Sequence, residues 1–295
     1  MPNWSQILTE IDSKTNTPKA LESMRNKYLR KISSLTGRNV IAYYSGWLKG
    51  NNIPNTGIEE QDKNAFMTTI HQLDKSKGLD LILHTPGGDV AATEGLLNYL
   101  KSMFGNNIRA FIPQISMSGG TMIAMACKEI IMGKQSSLGP IDPQIGGLAC
   151  QAVVDEFEHA VSEVKKRPES TLLWQAIISQ YRPTFLSDCS KAIKWSKEIS
   201  KECLLSVNPD INLNAVYDKF LNHNSSYSHS RRISKQECRE VGLPVTDLES
   251  NQELQDAVMS LHHCYMITFD KYSISKIVEN QLNSRLIQNY APRNN

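Results

Sequence analysis

Several things are scarce in this sequence, and each scarcity removes a class of protein. No run of about 18 residues is apolar and uncharged, so no membrane-spanning helix is expected. The opening MPNWSQILTEIDSK lacks the apolar core of a secretory signal, which makes a cytoplasmic location the expectation. Basic and acidic side chains nearly cancel, at 32 and 30, so charge gives no pull toward nucleic acid or an anionic membrane. The six cysteines, Cys127, Cys150, Cys189, Cys203, Cys238 and Cys264, form no CxxC and no Cys/His pair at ligand spacing. Reduced, buried thiols are expected rather than a disulfide frame or a zinc site. No internal repeat of 20 to 50 residues is present beyond two strand–turn–helix units, and no cofactor or metal is expected.

What the chain does have is 295 residues with a 40% hydrophobic share, enough to bury one sizeable core. Its organising stretch runs from Leu81 to Gln144 and reads twice as buried strand, glycine-rich turn and helix, the unit of an α/β protein. The first unit is LDLILHT, then Pro86-Gly87-Gly88, then a helix over Ala91 to Phe104. The second is IRAFIP, then Ser116-Met117-Ser118-Gly119-Gly120, then a helix over TMIAMACKEI. Two such turns at the carboxyl ends of neighbouring parallel strands make a crevice, where open α/β sheets place ligands.

Around this core, 3–35 reads as two helices, Asn39 to Leu48 as a strand, Gly50 to Gly57 as a loop and Glu59 to Lys77 as a helix. After Gln144 the texture turns helical, over Ala149 to Lys166, Thr171 to Tyr181, Thr184 to Leu205 and a short piece within Asn208 to Asn224. Arg232 to Pro244 reads as a turn and short helix. A last helix is expected from Asn251 to about Leu286. The division that follows is an N-terminal helical extension (1–37), a main domain (38–247) with a helical insertion (148–225), and a helical tail (248–295).

A serine hydroxyl needs a base within about 3 Å and donors aimed at the developing oxyanion. Ser118 supplies the hydroxyl, and Gly119 and Gly88 offer amides with no Cβ to obstruct them. The plain structural alternative is that both turns are strand-to-helix connections needing small residues, with Ser118 a helix N-cap. Ser116 replaces the first glycine of GxSxG, which disfavours an α/β-hydrolase elbow.

HTPGG at 84–88, SMSGGTMIAMA at 116–126 and SSLGPIDPQ at 136–144 together resemble the serine dehydrogenase proteinase family. That family stands with the signal-peptide-peptidase-A-type peptidases and, more distantly, the proteolytic subunit of Clp protease. The resemblance is dense over 39–147 and returns at 229–243, where HSRRISKQECREVGL is similar to the family's late turn and helix. It implies a Clp/crotonase-like α/β fold of repeated ββα/βα units with added helices at both ends. It further implies an ATP-independent serine peptidase with Ser118 as nucleophile and Gly88 and Gly119 as the oxyanion hole, acting on peptides or unfolded protein as a homo-oligomer. The pair Gly119-Gly120 replaces the alanine-glycine common in relatives, which is expected to loosen the turn.

The base is left open. Clp-type relatives use a histidine about two dozen residues after the serine, and 135–148 contains none. Signal-peptide-peptidase relatives use a lysine roughly fifty residues on, where Lys165 and Lys166 stand; this spacing favours Lys166 and a Ser-Lys dyad. Such a lysine must be desolvated for its pKa to fall toward neutrality. His229 is a third candidate, in the late segment. Asp142, between Pro140 and Pro143, is expected to fix a turn and line the cleft, and His84 to end a strand and orient a loop. The rival readings are a scaffold of the same fold that binds a peptide or partner without cleaving it, and a crotonase-like acyl-coenzyme A enzyme. The second is disfavoured by the lack of a basic cluster near the first turn.

Overall fold

The structure, a computed structural model, describes residues 4–12, 17–50 and 53–291. The expected loop over 50–57 lies partly outside these. In chain order the helices are α1 (Trp4–Asp12), α2 (Thr17–Thr36), α3 (Asp62–Ile70), α4 (Val90–Phe104), α5 (Gly119–Met125), α6 (Cys150–Lys166), α7 (Thr171–Ile178), α8 (Phe185–Val207), α9 (Leu213–Phe220), α10 (His223–Ser226), α11 (Lys235–Glu240) and α12 (Gln252–Lys271). The strands are β1 (Asn39–Ser45), β2 (Leu79–His84), β3 (Ile108–Ile112), β4 (Ile115–Ser116), β5 (Glu129–Met132), β6 (Ser137–Leu138), β7 (Gln144–Ile145), β8 (Leu148–Ala149), β9 (Ile233–Ser234), β10 (Val245–Asp247), β11 (Ile274–Asn280) and β12 (Arg285–Asn289).

Seven strands form one sheet in the order β10-β5-β3-β2-β1-β11-β12, parallel from β10 through β1 and antiparallel where β11 and β12 join. Every residue of β1 and β2 is buried, as expected of parallel strands covered on both faces. Alternation along β2 divides the core in two. Leu81 and Leu83 join Phe66, Leu96, Leu100, Met122 and Ile123 under α3, α4 and α5, whereas Ile82 joins Leu21, Met24, Val258 and Leu261 under α2 and α12. Single strands alternate with helices through β1–α3–β2–α4, while β3–β4–α5 puts two strands ahead of one.

Two expectations fail. The second helix does not run through TMIAMACKEI: α5 stops at Met125, and Glu129–Met132 is the parallel strand β5. The tail is not one helix, because α12 ends at Lys271 and 274–289 is a hairpin that extends the main sheet beside β1. The polar residues of this segment do not face solvent: Lys276, Glu279 and Asn280 are all buried and satisfied. Lys276 pairs with Asp62, Glu279 with Arg25 and the Tyr265 hydroxyl, and Asn280 donates to the Thr69 carbonyl. The helical insertion is also not wholly apart from the core. Ile199, Cys203 and Leu204 of α8 pack into the main cluster, while Cys150, Val153, Phe185 and Cys189 form a satellite.

A small second sheet, β4-β6-β9, decides what comes near Ser118. β6 runs parallel to β4 and antiparallel to β9, so segments around 116, 138 and 233 converge although far apart in the chain. The Thr121 hydroxyl ties the first two by donating to the Ser116 and Gly139 carbonyls and accepting from the Gly139 amide.

His84 closes β2 as expected, but fully buried: it stacks on Tyr44, and its ring nitrogens lie 3.2 Å from the Ser45 carbonyl and 3.2 Å from the Gln114 side-chain oxygen. Burial pushes its imidazole down to about 4, and holds its neighbour His262 well below the ordinary value as well. In the unfolded chain a histidine titrates near about 6.5. Above that pH both states are neutral; below it the unfolded chain gains protons that folded His84 refuses, so stability is lost as pH falls from about 6.5 toward 4. We expect thermal unfolding midpoints to drop across this window, and to drop less steeply for His84→Gln. Equal slopes in the two proteins would contradict this.

Candidate active site

Ser118 follows β4 and stands at the mouth of α5, but it is not a cap: its side chain makes no hydrogen bond to the helix. Its backbone has φ 49 and ψ −118, a region that glycine occupies freely and a serine does not. The Gly120 amide donates to the Met117 carbonyl at 2.8 Å, so Met117 to Gly120 is a tight turn with Ser118 in the position of a type II′ turn that normally calls for glycine. Strain of this kind costs about 1–3 kcal/mol and collects where function requires it. The alternative of Ser118 as an N-cap therefore does not describe this residue.

The first glycine turn is pressed against the serine. Met117 donates to the Thr85 carbonyl at 2.9 Å, and Thr85 bridges Ser116 in parallel. Gly87, at φ 87, comes so near that a Cβ there would lie 2.5 Å from the Ser118 Cβ. On its far side the turn meets an extended strap, Thr56 to Glu59. Ile58 donates to the Gly87 carbonyl at 2.7 Å and accepts from the Asp89 amide at 2.9 Å. A trans peptide points its C=O and N–H in opposite directions, and no cis bond occurs among the described residues, so the Gly88 N–H is directed away from Ile58. Among the described residues neither this amide, nor the Gly88 carbonyl, nor the Gly119 amide has a backbone or side-chain partner. The Gly119 pairing is not loose either: a Cβ at 119 would meet the Thr93 Oγ1 at 2.5 Å, so here the alanine of relatives is excluded by Thr93.

Ser118, Gly87, Gly88 and Gly119 line one cavity of about 330 Å³ with Thr56, Val90, Met122, Ile141, Pro143 and His229. Of the three candidate bases, His229 is the one that lines this cavity. Its Nδ1 is 2.7 Å from Asp142 Oδ1, and its Nε2 has no partner among the described residues. Asp142 is 1% exposed, and its second oxygen lies 2.9 Å from the Nδ1 of His223, a residue that reasoning from the sequence overlooked. The Asp142 loop is fixed by Ile141, which donates to the Phe220 carbonyl at 2.7 Å. The β6–β9 pairing brings the His229 segment across to it.

The structure does not bring Lys165 or Lys166 to this cavity. Both are exposed on the last turn of α6, a helix about 25 Å long that starts next to Pro143 and leads away from it. Lys165 lines a different, almost wholly apolar groove with Val161, Trp174 and Ile178. A spacing along the chain carried over from relatives cannot allow for a helix that projects outward. Asp142 stands 24 residues after Ser118, about where a histidine was sought, so its position was passed over for its residue type.

A mostly parallel sheet, two glycine turns at its carboxyl edge and a strained serine between them define a Clp-like serine proteinase architecture, and the comparison with known proteins agrees. Residues 7–272 match the family described as ClpP-like SDH-type serine proteinase, and the chain belongs to that family. It is similar to the uncharacterized protein MJ0137 of Methanocaldococcus jannaschii, at 30% identity over 237 residues that cover 77% of this chain and 75% of that protein. It is also similar to the uncharacterized protein MJ1495 of the same organism, at 29% identity over 189 residues, 64% of this chain and 59% of that protein.

The backbone strain yields a test free of catalysis. Ser118→Ala and Ser118→Gly both remove the hydroxyl, but only glycine relaxes at φ 49. Ser118→Gly is expected to be the more stable of the two by about 1 kcal/mol in urea unfolding. Gly87→Ala, which forces a Cβ onto Ser118, is expected to lose more than about 2 kcal/mol.

Proposed function

We propose that this protein is a serine peptidase that hydrolyses peptide bonds through an acyl-enzyme on Ser118, with His229 as general base and Asp142 as the carboxylate that orients it. The observation that carries the proposal is the 2.7 Å contact between His229 Nδ1 and Asp142, in the cavity that Ser118 and the two free glycine amides also line. It replaces the Ser-Lys dyad expected from spacing. A triad is defined by geometry and role, and its order along the chain varies between folds. Here that order is serine, aspartate, histidine.

In this mechanism Asp142 holds the His229 ring with Nδ1 as the donor, which leaves Nε2 as the acceptor. Nε2 takes the Ser118 proton as Oγ attacks the scissile carbonyl carbon. The carbonyl oxygen becomes an oxyanion and accepts from the Gly88 and Gly119 amides, which need no reorganisation because the surrounding turns already hold them. His229 returns the proton to the leaving amine as the C–N bond breaks. Water, activated by the same imidazole, then releases the acid and restores Ser118. No step consumes ATP.

Substrate presentation follows from the same backbone. Ile58 occupies one edge of the Gly87–Asp89 segment, so an extended peptide is proposed to pair on the opposite edge, where the Gly88 N–H and C=O are unpaired. The lining around Ser118 contains no Asp, Glu, Lys or Arg and mixes Val90, Met122 and Ile141 with the polar Thr56, Thr93, Gln144 and Ser196, which fits a peptide with an uncharged side chain at the cleavage point. Self-association is proposed as well. The arm formed by α6 and α7 exposes Val161 at 58%, Leu172 at 78% and Leu173 at 63%, more apolar surface than a short helical arm gains by facing water.

A fluorophosphonate probe is expected to label Ser118, as mapped by mass spectrometry, and to label nothing in Ser118→Ala. His229→Gln should lower kcat/KM on an unstructured peptide by about 10³-fold or more, and Asp142→Asn by about 10²-fold or more. His223→Gln, Lys165→Arg and Lys166→Arg should stay within about fivefold of the parent. Full activity in His229→Gln, or loss in either lysine variant, would return the base to a lysine. Light scattering at micromolar concentration should give a mass above one 33.2 kDa chain, and Leu172→Glu/Leu173→Glu should reduce it.

A further inference from the structure

Lys276 lies on β11, opposite Ser45 of β1, and is 1% exposed. Its ammonium has three donors, and three acceptors stand around it: the Gly57 carbonyl at 2.7 Å, Asp62 Oδ1 at 2.8 Å and Asp62 Oδ2 at 2.9 Å. Asp62, at the start of α3, is buried as well and accepts from the Tyr43 hydroxyl and the Glu59 amide, each at 2.9 Å. Thus the lysine grips the strap at Gly57 and the aspartate grips it at Glu59, on either side of Ile58. A further tie, from the Ser45 hydroxyl to the Thr56 carbonyl at 2.8 Å, holds its beginning.

Ile58 is the residue whose amide orients the Gly87–Gly88 peptide, and it leaves no slack. A Cβ on Gly88 would lie 2.1 Å from the Ile58 nitrogen. The chain of contacts runs from Lys276 and Asp62 through Gly57 and Glu59 to Ile58, and from Ile58 N–H through the Gly87 carbonyl to the direction of the Gly88 N–H. We infer that Lys276 and Asp62 are positioning residues for the oxyanion hole, a buried ion pair that touches no reacting atom but sets the orientation of one of its two donors. The inference rests on the reading of Ser118 as nucleophile and the Gly88 amide as oxyanion donor. A buried ion pair is poorly suited to raising stability, since apolar replacements of similar volume often equal it. What it supplies here is directional hold on a strap that, among the described residues, pairs as a strand with the glycine turn alone.

The test is a neutral replacement, Lys276→Met/Asp62→Asn, which leaves no buried charge unpaired, with Lys276→Gln/Asp62→Asn as the companion that keeps a donor for the Gly57 carbonyl. Two quantities are read on folded protein. Amide hydrogen exchange at Ile58 and Asp89, relative to amides of β2, is expected to quicken at least about tenfold in the Met variant. For a peptide substrate, kcat is expected to fall about 10²-fold, the loss typical of one misplaced oxyanion donor, with KM within about threefold. The Gln variant should recover about tenfold of that kcat. A purely structural role would instead lower the unfolding midpoint and move KM, without rescue by glutamine. Unchanged exchange, or quickened exchange with unchanged kcat, overturns the inference. A parent whose Ser118 takes no fluorophosphonate rejects the peptidase reading on separate grounds. Exchange at Ile58 then still decides whether the pair holds the strap.

Discussion

Between the Gly87 turn and Ser118 there is no room for a single methyl group, and much of the site follows from that one approach. The gap is closed from both sides. The serine turn is drawn in by Met117 donating to Thr85, and the glycine turn is pushed inward by the strap at Ile58. Glycine at 87 and 88 is therefore a steric requirement as well as a conformational one. The same approach accounts for the strained backbone at Ser118, because a relaxed serine would swing the turn away from its neighbour. Strain and close packing here are two views of one constraint, and the sheet beneath both turns resists its release.

Support for the site comes from polar groups deep in the fold rather than from the turns themselves. Lys276, Asp62 and Tyr43 stand behind the strap, and the Thr121 hydroxyl braces the Asp142 loop against α5. A charge or hydroxyl taken out of water must find partners, and a group with several short, directional partners has few alternative arrangements. Apolar packing would bury the same area but would tolerate sliding.

The catalytic groups proposed here come from three stretches of chain that the small β4-β6-β9 sheet gathers. Ser118 follows the first strand, Asp142 the second, and His229 precedes the third. The carboxylate of Asp142 stands about where Clp-type relatives are expected to carry their histidine, and the imidazole comes instead from the late segment. The proton path can be the same, since what the serine senses is an imidazole nitrogen and not its place in the chain.

The local features were legible in the sequence because they rest on local rules. Two strand–glycine–helix units announce parallel strands and a crevice, HTPGG and SMSGG mark their turns, and helical periodicity after Gln144 marks α6 to α8. The turns themselves pointed to Ser118, Gly88 and Gly119, and the family likeness added the roles of nucleophile and oxyanion donors. What the sequence could not disclose depends on contacts between distant segments. β11 was expected as a continuation of the tail helix, and the partners that bury its Lys276, Glu279 and Asn280 lie far off in the chain, at 62, 25 and 69. Lys165 and Lys166 looked suitable by spacing, yet α6 carries them outward. His229 was one of three candidate bases until β9 lay beside β6 and brought its segment to Asp142. A residue's environment is the sum of its neighbours in space, and for these residues the neighbours are supplied by tertiary structure alone.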